Sequence, residues 1–322
     1  MRAGISPQLR WSRPLACLVV ALLLAGIARS ALAQSEAPSQ LTEPFRISVD
    51  LNLVILQAVV HDRTGSFAPE LHEDNFAVYE DGVRQAIRLF RHEDVPVTVG
   101  LVVDHSSSMR PRLPWVVAAA RTFVKSSSTA DQMFVVNFNE KVTLGLPAAI
   151  RLTDRPDELA GVISSRPAAG KTALYDAVAA GFTGLRAGGP EKKVLIVISD
   201  GGDNASTLKL PEVLKTAEES SALVYTVGIF DDDDADRNPD VLRRLARATG
   251  GEAFFPRKLE DVVSICESIA HDIRNQYTIG YVSNNTEKAG ALRTIRVTAQ
   301  APASGKLMVR TRSGYIAAGA SR

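Results

Sequence analysis

The sequence predicts an α/β protein: a doubly wound, mostly parallel sheet, with a small β domain formed from strands near the two chain ends. Three observations carry this reading. Apolar runs rich in β-branched residues (97–103, 194–198 and 223–229) alternate with helical periodicity between Pro96 and Ile273, as in parallel strands covered on both faces. Stretches of period-two alternation without helices flank this region on both sides. Three loops at strand or helix boundaries carry oxygen side chains, and open α/β sheets bind ligands beyond the carboxyl ends of their strands.

The chain has 322 residues, enough for one large domain and a small one, and 45% hydrophobic against 23% charged residues gives an ordinary globular core. A formal net charge of +1 gives no reason to expect a nucleic acid partner. Arg2, Arg10 and Arg13 precede an apolar stretch at 15–27, and Ala31-Leu32-Ala33 offers small residues for cleavage. That layout predicts a secretory signal peptide over 1–33, too short in its apolar part for a membrane span. Cleavage would remove four arginines and no acid, taking the net charge from +1 to −3. No later stretch is long and apolar enough to span a bilayer, so a secreted or periplasmic product is expected. Cys17 would leave with the signal, and Cys266 would then have no disulfide partner within the chain.

Residues 34–44 read as a linker. From Phe45 to about Val60, Ile47, Val49, Leu51, Leu53 and Ile55 alternate with polar residues, the mark of a half-buried strand. A turn at 62–65, a strand at 75–79, a turn at Asp81-Gly82 and a strand through Ala86, Arg88 and Phe90 complete the first block, 45–94. The α/β region, 95–275, opens with the 97–103 strand. Leu113, Val116, Val117, Ala120, Phe123 and Val124 then line one face of a helix. A strand at 133–138 and an edge strand at 142–146 follow. Leu174, Val178, Phe182 and Leu185 mark a second helix, stopped by Gly188-Gly189-Pro190. After the 194–198 strand, Pro211 suits a helix first turn, followed by the 223–229 strand. Further helices run through Val241–Ala246 positions, closed by Gly250-Gly251, and through Val262, Ile265, Ile269 and Ile273. The last block, 276–322, returns to strands at 276–282, 292–299 and 306–312. Each terminal block is too small to bury an apolar face alone, so the two are expected to pair into one β domain with the α/β domain inserted between them.

The chemistry falls on three loops. Asp104, Ser106 and Ser108 follow the first core strand, Thr172 precedes a helix, and Asp200 follows the most apolar strand. Hydroxyls and carboxylates without nitrogen or sulfur donors suit a hard divalent cation such as Mg²⁺. The alternate spacing of Ser106 and Ser108 lets an extended loop aim both hydroxyls the same way.

Asp104-His105-Ser106-Ser107-Ser108, the later Thr172 and Asp200-Gly201 resemble the metal-ion-dependent adhesion site of von Willebrand factor type A domains, whose pattern is D-x-S-x-S, then T, then D. The resemblance implies that Ser106, Ser108 and Thr172 are direct or near-direct ligands of Mg²⁺ or Mn²⁺. Asp104 and Asp200 would bind directly or through water, and an Asp or Glu of a protein partner would complete the shell. Ser107 stands where the family often has glycine. Phe76 to Gly82 with Gln85, Gln276 to Tyr281, and Ser313-Gly314-Tyr315 resemble the flanks of an exported bacterial subfamily of these proteins found in Acidobacteria.

Residues 164–172 approach a phosphate-binding loop, but Ser165 stands where G-x-x-x-x-G-K-T needs glycine. Asp231 to Asp234 with Asp236 read as a solvated acidic loop after a strand, with a calcium site as the lesser alternative. His105 occupies a variable motif position and is expected to be exposed, and Cys266 packs on an apolar helix face. Asn204-Ala205-Ser206 fits a glycosylation sequon without other support, and no Ser-His-Asp arrangement appears. The expected function is an exported, non-enzymatic binding module. A metal-dependent hydrolase or NTPase, and a scaffold with a structural metal, are the alternatives.

Overall fold

Unbroken apolar runs need cover on both faces, while alternating ones need it on one, and the two kinds of strand sort into separate layers. The computed structural model describes residues 53–68, 70–147, 151–231, 233–285, 290–301 and 305–317. The opening strands are β1 (Leu53–His61), β2 (Phe76–Glu80), β3 (Val83–Gln85) and β4 (Ile87–Arg91). The alternating region then runs β5 (Val97–Asp104), α1 (Leu113–Lys125), β6 (Gln132–Phe138), β7 (Val142–Leu144), α2 (Pro156–Ser164) and α3 (Leu174–Leu185). It continues with β8 (Lys192–Ser199), α4 (Leu210–Glu219), β9 (Leu223–Gly228), α5 (Pro239–Thr249), β10 (Ala253–Phe254) and α6 (Asp261–Arg274). The last strands described are β11 (Tyr277–Val282), β12 (Leu292–Ala301), β13 (Gly305–Lys306), β14 (Met308–Arg310) and β15 (Gly314–Ile316).

The six-stranded sheet has the order β10-β9-β8-β5-β6-β7. Its neighbours pair parallel except β7, which runs antiparallel on the β6 edge. Every residue of β5 and of β9 is buried, as strands with helices on both faces must be. From β5 the chain proceeds to β6 on one side, and from β8 to β9 on the other. The carboxyl ends of β5 and β8 therefore flank the point where the winding reverses, the usual ligand position in such sheets. Asp104 ends β5 and Ser199 ends β8.

Strands from both chain ends do pair, in two sheets rather than one. β1 lies between β11 and β14, and β4 adds to β11, giving β14-β1-β11-β4. β2 pairs with β12 and β3, with β13 and β15 also on β12. Leu56, Ala58 and Val60 with Tyr277, Ile279 and Tyr281 share one core with Phe76, Val78, Ile295 and Val297. The segment expected as one strand at 306–312 is broken at buried Leu307, where the chain passes from the second sheet to the first. Asp81 and Gly82 take φ of 47° and 82°, the left-handed pair that a two-residue hairpin needs. At the centre of this domain Glu80 is buried and accepts from Tyr281 Oη (2.6 Å), Ser283 Oγ (2.7 Å) and Tyr315 Oη (3.1 Å), with Arg293 at 3.4 Å.

Both layers belong to one unit, Asp50–Arg322. Arg274, at the end of α6, pairs with Asp94 and with buried Asp131, which also accepts from Val97 N. The strand expected from 45 to 52 and the signal peptide lie outside the described residues. Helix α2 was not expected, although Pro156 at its start and Asp157 and Glu158 in its first turn are helix-start residues. Among the described residues, no helix is long and apolar enough to cross a membrane.

Candidate metal centre

Each candidate loop leaves a buried strand or enters a buried helix, so its backbone is anchored at one end. Asp104 is fully buried. Its Oδ1 accepts from Ser106 N (2.7 Å) and its Oδ2 from Ser199 Oγ (2.6 Å). Ser106 Oγ lies 3.0 Å from Ser108 Oγ, and Ser108 Oγ donates to Asp200 Oδ2 at 2.6 Å. Asp200 Oδ1 accepts from Gly202 N at 2.9 Å. Asp104, Ser106, Ser108 and Asp200 thus form one continuous hydrogen-bonded set.

Thr172 sits on the adjoining loop and is 6% exposed. That loop is held against the first by Ser107 N donating to Gly170 O (3.2 Å) and Ala169 N to His105 O (2.8 Å). It is held against the third by Thr172 N donating to Asn204 Oδ1 and by Asn204 N donating to Thr172 O, both at 2.9 Å. The Thr172 hydroxyl takes no part in the hydrogen bonds that join the other four residues.

Asp104 and Asp200 are both buried, yet among the described residues no arginine, lysine or histidine pairs with either. Burial, opposed by the hydrogen bonds from Ser106 and Ser199 and helped by the nearby charge of Asp200, pushes the Asp104 carboxyl up to about 6. Buried charges are ordinarily paired or coordinated to a metal. The oxygen spacings also suit a small hard cation. Ligands about 2.0–2.1 Å from an octahedral Mg²⁺ have neighbouring oxygens about 3 Å apart, close to the 3.0 Å between the serine hydroxyls. Among the described residues no three His, Cys, Asp or Glu side chains converge, so hydroxyls would dominate such a donor set.

His105 is buried, not exposed as its motif position suggested. Its Nε2 is 3.0 Å from Asn137 Oδ1 and its Nδ1 3.2 Å from Arg166 O, so its ring ties the end of β5 to β6 and to the loop that leads to Thr172. Burial lowers its pKa. Sequence reasoning gave no role to Ser199 or Arg112 and read Asn204 only as a sequon residue, whereas it holds the Thr172 backbone. Arg112 Nη1 donates to Ser108 O (2.6 Å), and its Nη2 reaches Asp231 and Asp234 (2.5 and 2.8 Å). The acidic loop is therefore not simply solvated. Residues 164–172 follow helix α2, whereas a phosphate-binding loop follows a strand.

The doubly wound parallel sheet, with its oxygen-lined cup at the reversal point, defines an open α/β domain. The profile of the von Willebrand factor type A domain matches residues 98–268, just over half of the chain, and the chain belongs to that family. No curated protein matched its sequence. Among solved structures, the conserved hypothetical protein BatB from Bacteroides thetaiotaomicron is similar, at 18% identity and a TM-score of 0.44 over 55% of this chain and 97% of that one. So is the vWF domain of the type V pili tip protein Mfa5 from Porphyromonas gingivalis, at 14% identity and a TM-score of 0.47 over 56% and 95%. A third is proximal thread matrix protein 1 from the mussel byssus, solved with a zinc-occupied MIDAS motif, at 17% identity and 0.44 over 56% and 48%.

Proposed function

We propose that the protein is an exported binding module in which Asp104, Ser106, Ser108, Thr172 and Asp200 hold one Mg²⁺ or Mn²⁺ and a protein partner adds an Asp or Glu carboxylate. The observation that carries this reading is a pair of buried carboxylates that no basic side chain among the described residues pairs with, linked through Ser106 and the Ser108 hydroxyl. When bound, the cation supplies a Lewis-acidic centre for a carboxylate oxygen. The residues do the rest. Ser199 and Ser106 N orient Asp104, Gly202 N orients Asp200, and the Asn204 contacts hold the Thr172 backbone beside them. Half-buried Ser108 and exposed Ser107 mark the side on which a partner would arrive.

Binding is favoured over hydrolysis because His105, the nearest histidine in sequence, is buried with both ring nitrogens facing protein oxygens and does not open onto the cup as a base. The sequence features of residues 1–33 support export, and the 76–82 and 276–281 segments support placement in the exported bacterial subfamily. Immobilised protein should capture its partner from an extracellular fraction in Mg²⁺ and release it in EDTA. The variant Asp104→Ala/Asp200→Ala should capture none. Capture that is equal with and without EDTA overturns the reading.

A further inference from the structure

Arg112 is 4% exposed, close to the cup but outside the five-residue motif. It stands three residues beyond the 3-10 turn Ser107–Met109, at the residue just before α1. One arm of its guanidinium holds the Ser108 carbonyl, and the other holds Asp231 and Asp234. Asp234 Oδ2 also accepts from Asp231 N at 2.9 Å, which closes this part of the loop on itself. Further along the same loop, Asn238 N donates to Asp200 O at 3.0 Å. Gly201 and Gly202 pack so closely on Asn238 and Asp236 carbonyls that a Cβ at either would collide with them.

Asp231, Asp234 and Asn238 therefore reach the backbone of both residues whose side chains meet across the cup, Ser108 through Arg112 and Asp200 through Asn238. We infer that Arg112 is a positioning residue, a fork that fixes Ser108 against Asp200 by anchoring both to this strap. The inference deepens the proposed metal site and rests on it for its consequence in binding, though not for its effect on the loops. A guanidinium suits the task because its planar donors can serve a carbonyl and two carboxylates at once, which a single ammonium cannot reproduce.

The sign of the effect separates positioning from simple electrostatics. Arg112 carries positive charge beside a cation site, and Arg112→Gln would also free two carboxylates. Electrostatics alone then predicts tighter cation binding. Positioning predicts weaker binding, by about 10-fold or more, as for other residues that orient metal ligands. Arg112→Lys keeps the charge, so electrostatics predicts no change, whereas loss of the fork again predicts weakening.

The test is a Mn²⁺ titration of the full mature chain and both variants, with amide hydrogen exchange in EDTA. Expected are weaker Mn²⁺ binding in both variants and faster exchange at Met109, Gly202 and Asn238, with Val102 and Ile196 unchanged. Binding as tight as wild type or tighter in both variants, with unchanged exchange at those three amides, overturns the inference. Faster exchange that reaches Val102 and Ile196 equally also overturns it, as a global loss of stability. Should the wild type bind no Mn²⁺, the metal reading fails by itself, and the exchange pattern still decides whether Arg112 positions the loops. Should Arg112→Gln not fold, Arg112→Lys and Asp234→Asn carry the exchange measurement.

Discussion

Replacing Asp104 with Asn should make the protein more stable in EDTA at neutral pH. The carboxyl is fully buried, and burial above all raises it from 3.8 to about 6. A folded pKa above the unfolded value means that the folded state holds the proton more tightly. The stabilisation is complete below about pH 4, is lost as pH rises to about 6, and changes little above that. A shift of roughly two pH units corresponds to about 3 kcal/mol. Asparagine carries no charge and escapes this penalty. Its amide presents Nδ2 in place of the oxygen that accepts from Ser199 Oγ, which costs about 1 kcal/mol. A net gain of about 2 kcal/mol is therefore expected at pH 7.5, with little difference at pH 4 beyond the lost hydrogen bond. Urea denaturation of both proteins in EDTA at several pH values measures it. An Asp104→Asn protein less stable than wild type at pH 7.5 would refute the reasoning, since burial of an unpaired charge would then not dominate this site.

Three further outcomes follow from named contacts. Gly201 has φ of +84° and faces the Asn238 carbonyl, so Gly201→Ala should lower stability by about 2 kcal/mol or more, read from the melting temperature. Glu80→Ala strips a buried hub from Tyr281, Ser283, Tyr315 and Arg293 and should cost about 3–5 kcal/mol in urea denaturation. Truncation after Asn275 removes every strand partner of β1 and β4 and leaves β2 only the short β3, so limited proteolysis should digest the N-terminal strands while the parallel sheet resists. Equal resistance of those strands in the full and truncated chains would count against the shared β domain.

The buried strands β5, β8 and β9 were legible because a strand covered on both faces must be apolar throughout, and little else in a sequence looks like that. Asp104 and Asp200 stood out because each interrupts such a run at its carboxyl end. His105 was misread because its partners, Asn137 and Arg166, are 32 and 61 residues away, and local pattern says nothing about what packs over a loop. Arg112 was passed over for the same reason, and with it the anchoring of the acidic loop. Helix α2 carried a start signal in Pro156, Asp157 and Glu158, but at nine residues it spans too few turns for its apolar periodicity to stand out. The division of the terminal strands into two sheets could not be read from alternation alone, which fixes which face is buried but not which strand lies alongside.

The claim that oxygens from three separated loops form a single cation site stands or falls on a calorimetric titration of Mg²⁺ and Mn²⁺ into the purified protein. One equivalent should bind the wild type, and no heat of binding should remain in Asp104→Ala/Asp200→Ala. Heat that persists undiminished in that variant would place any bound cation elsewhere and leave the two buried carboxylates without the role given to them.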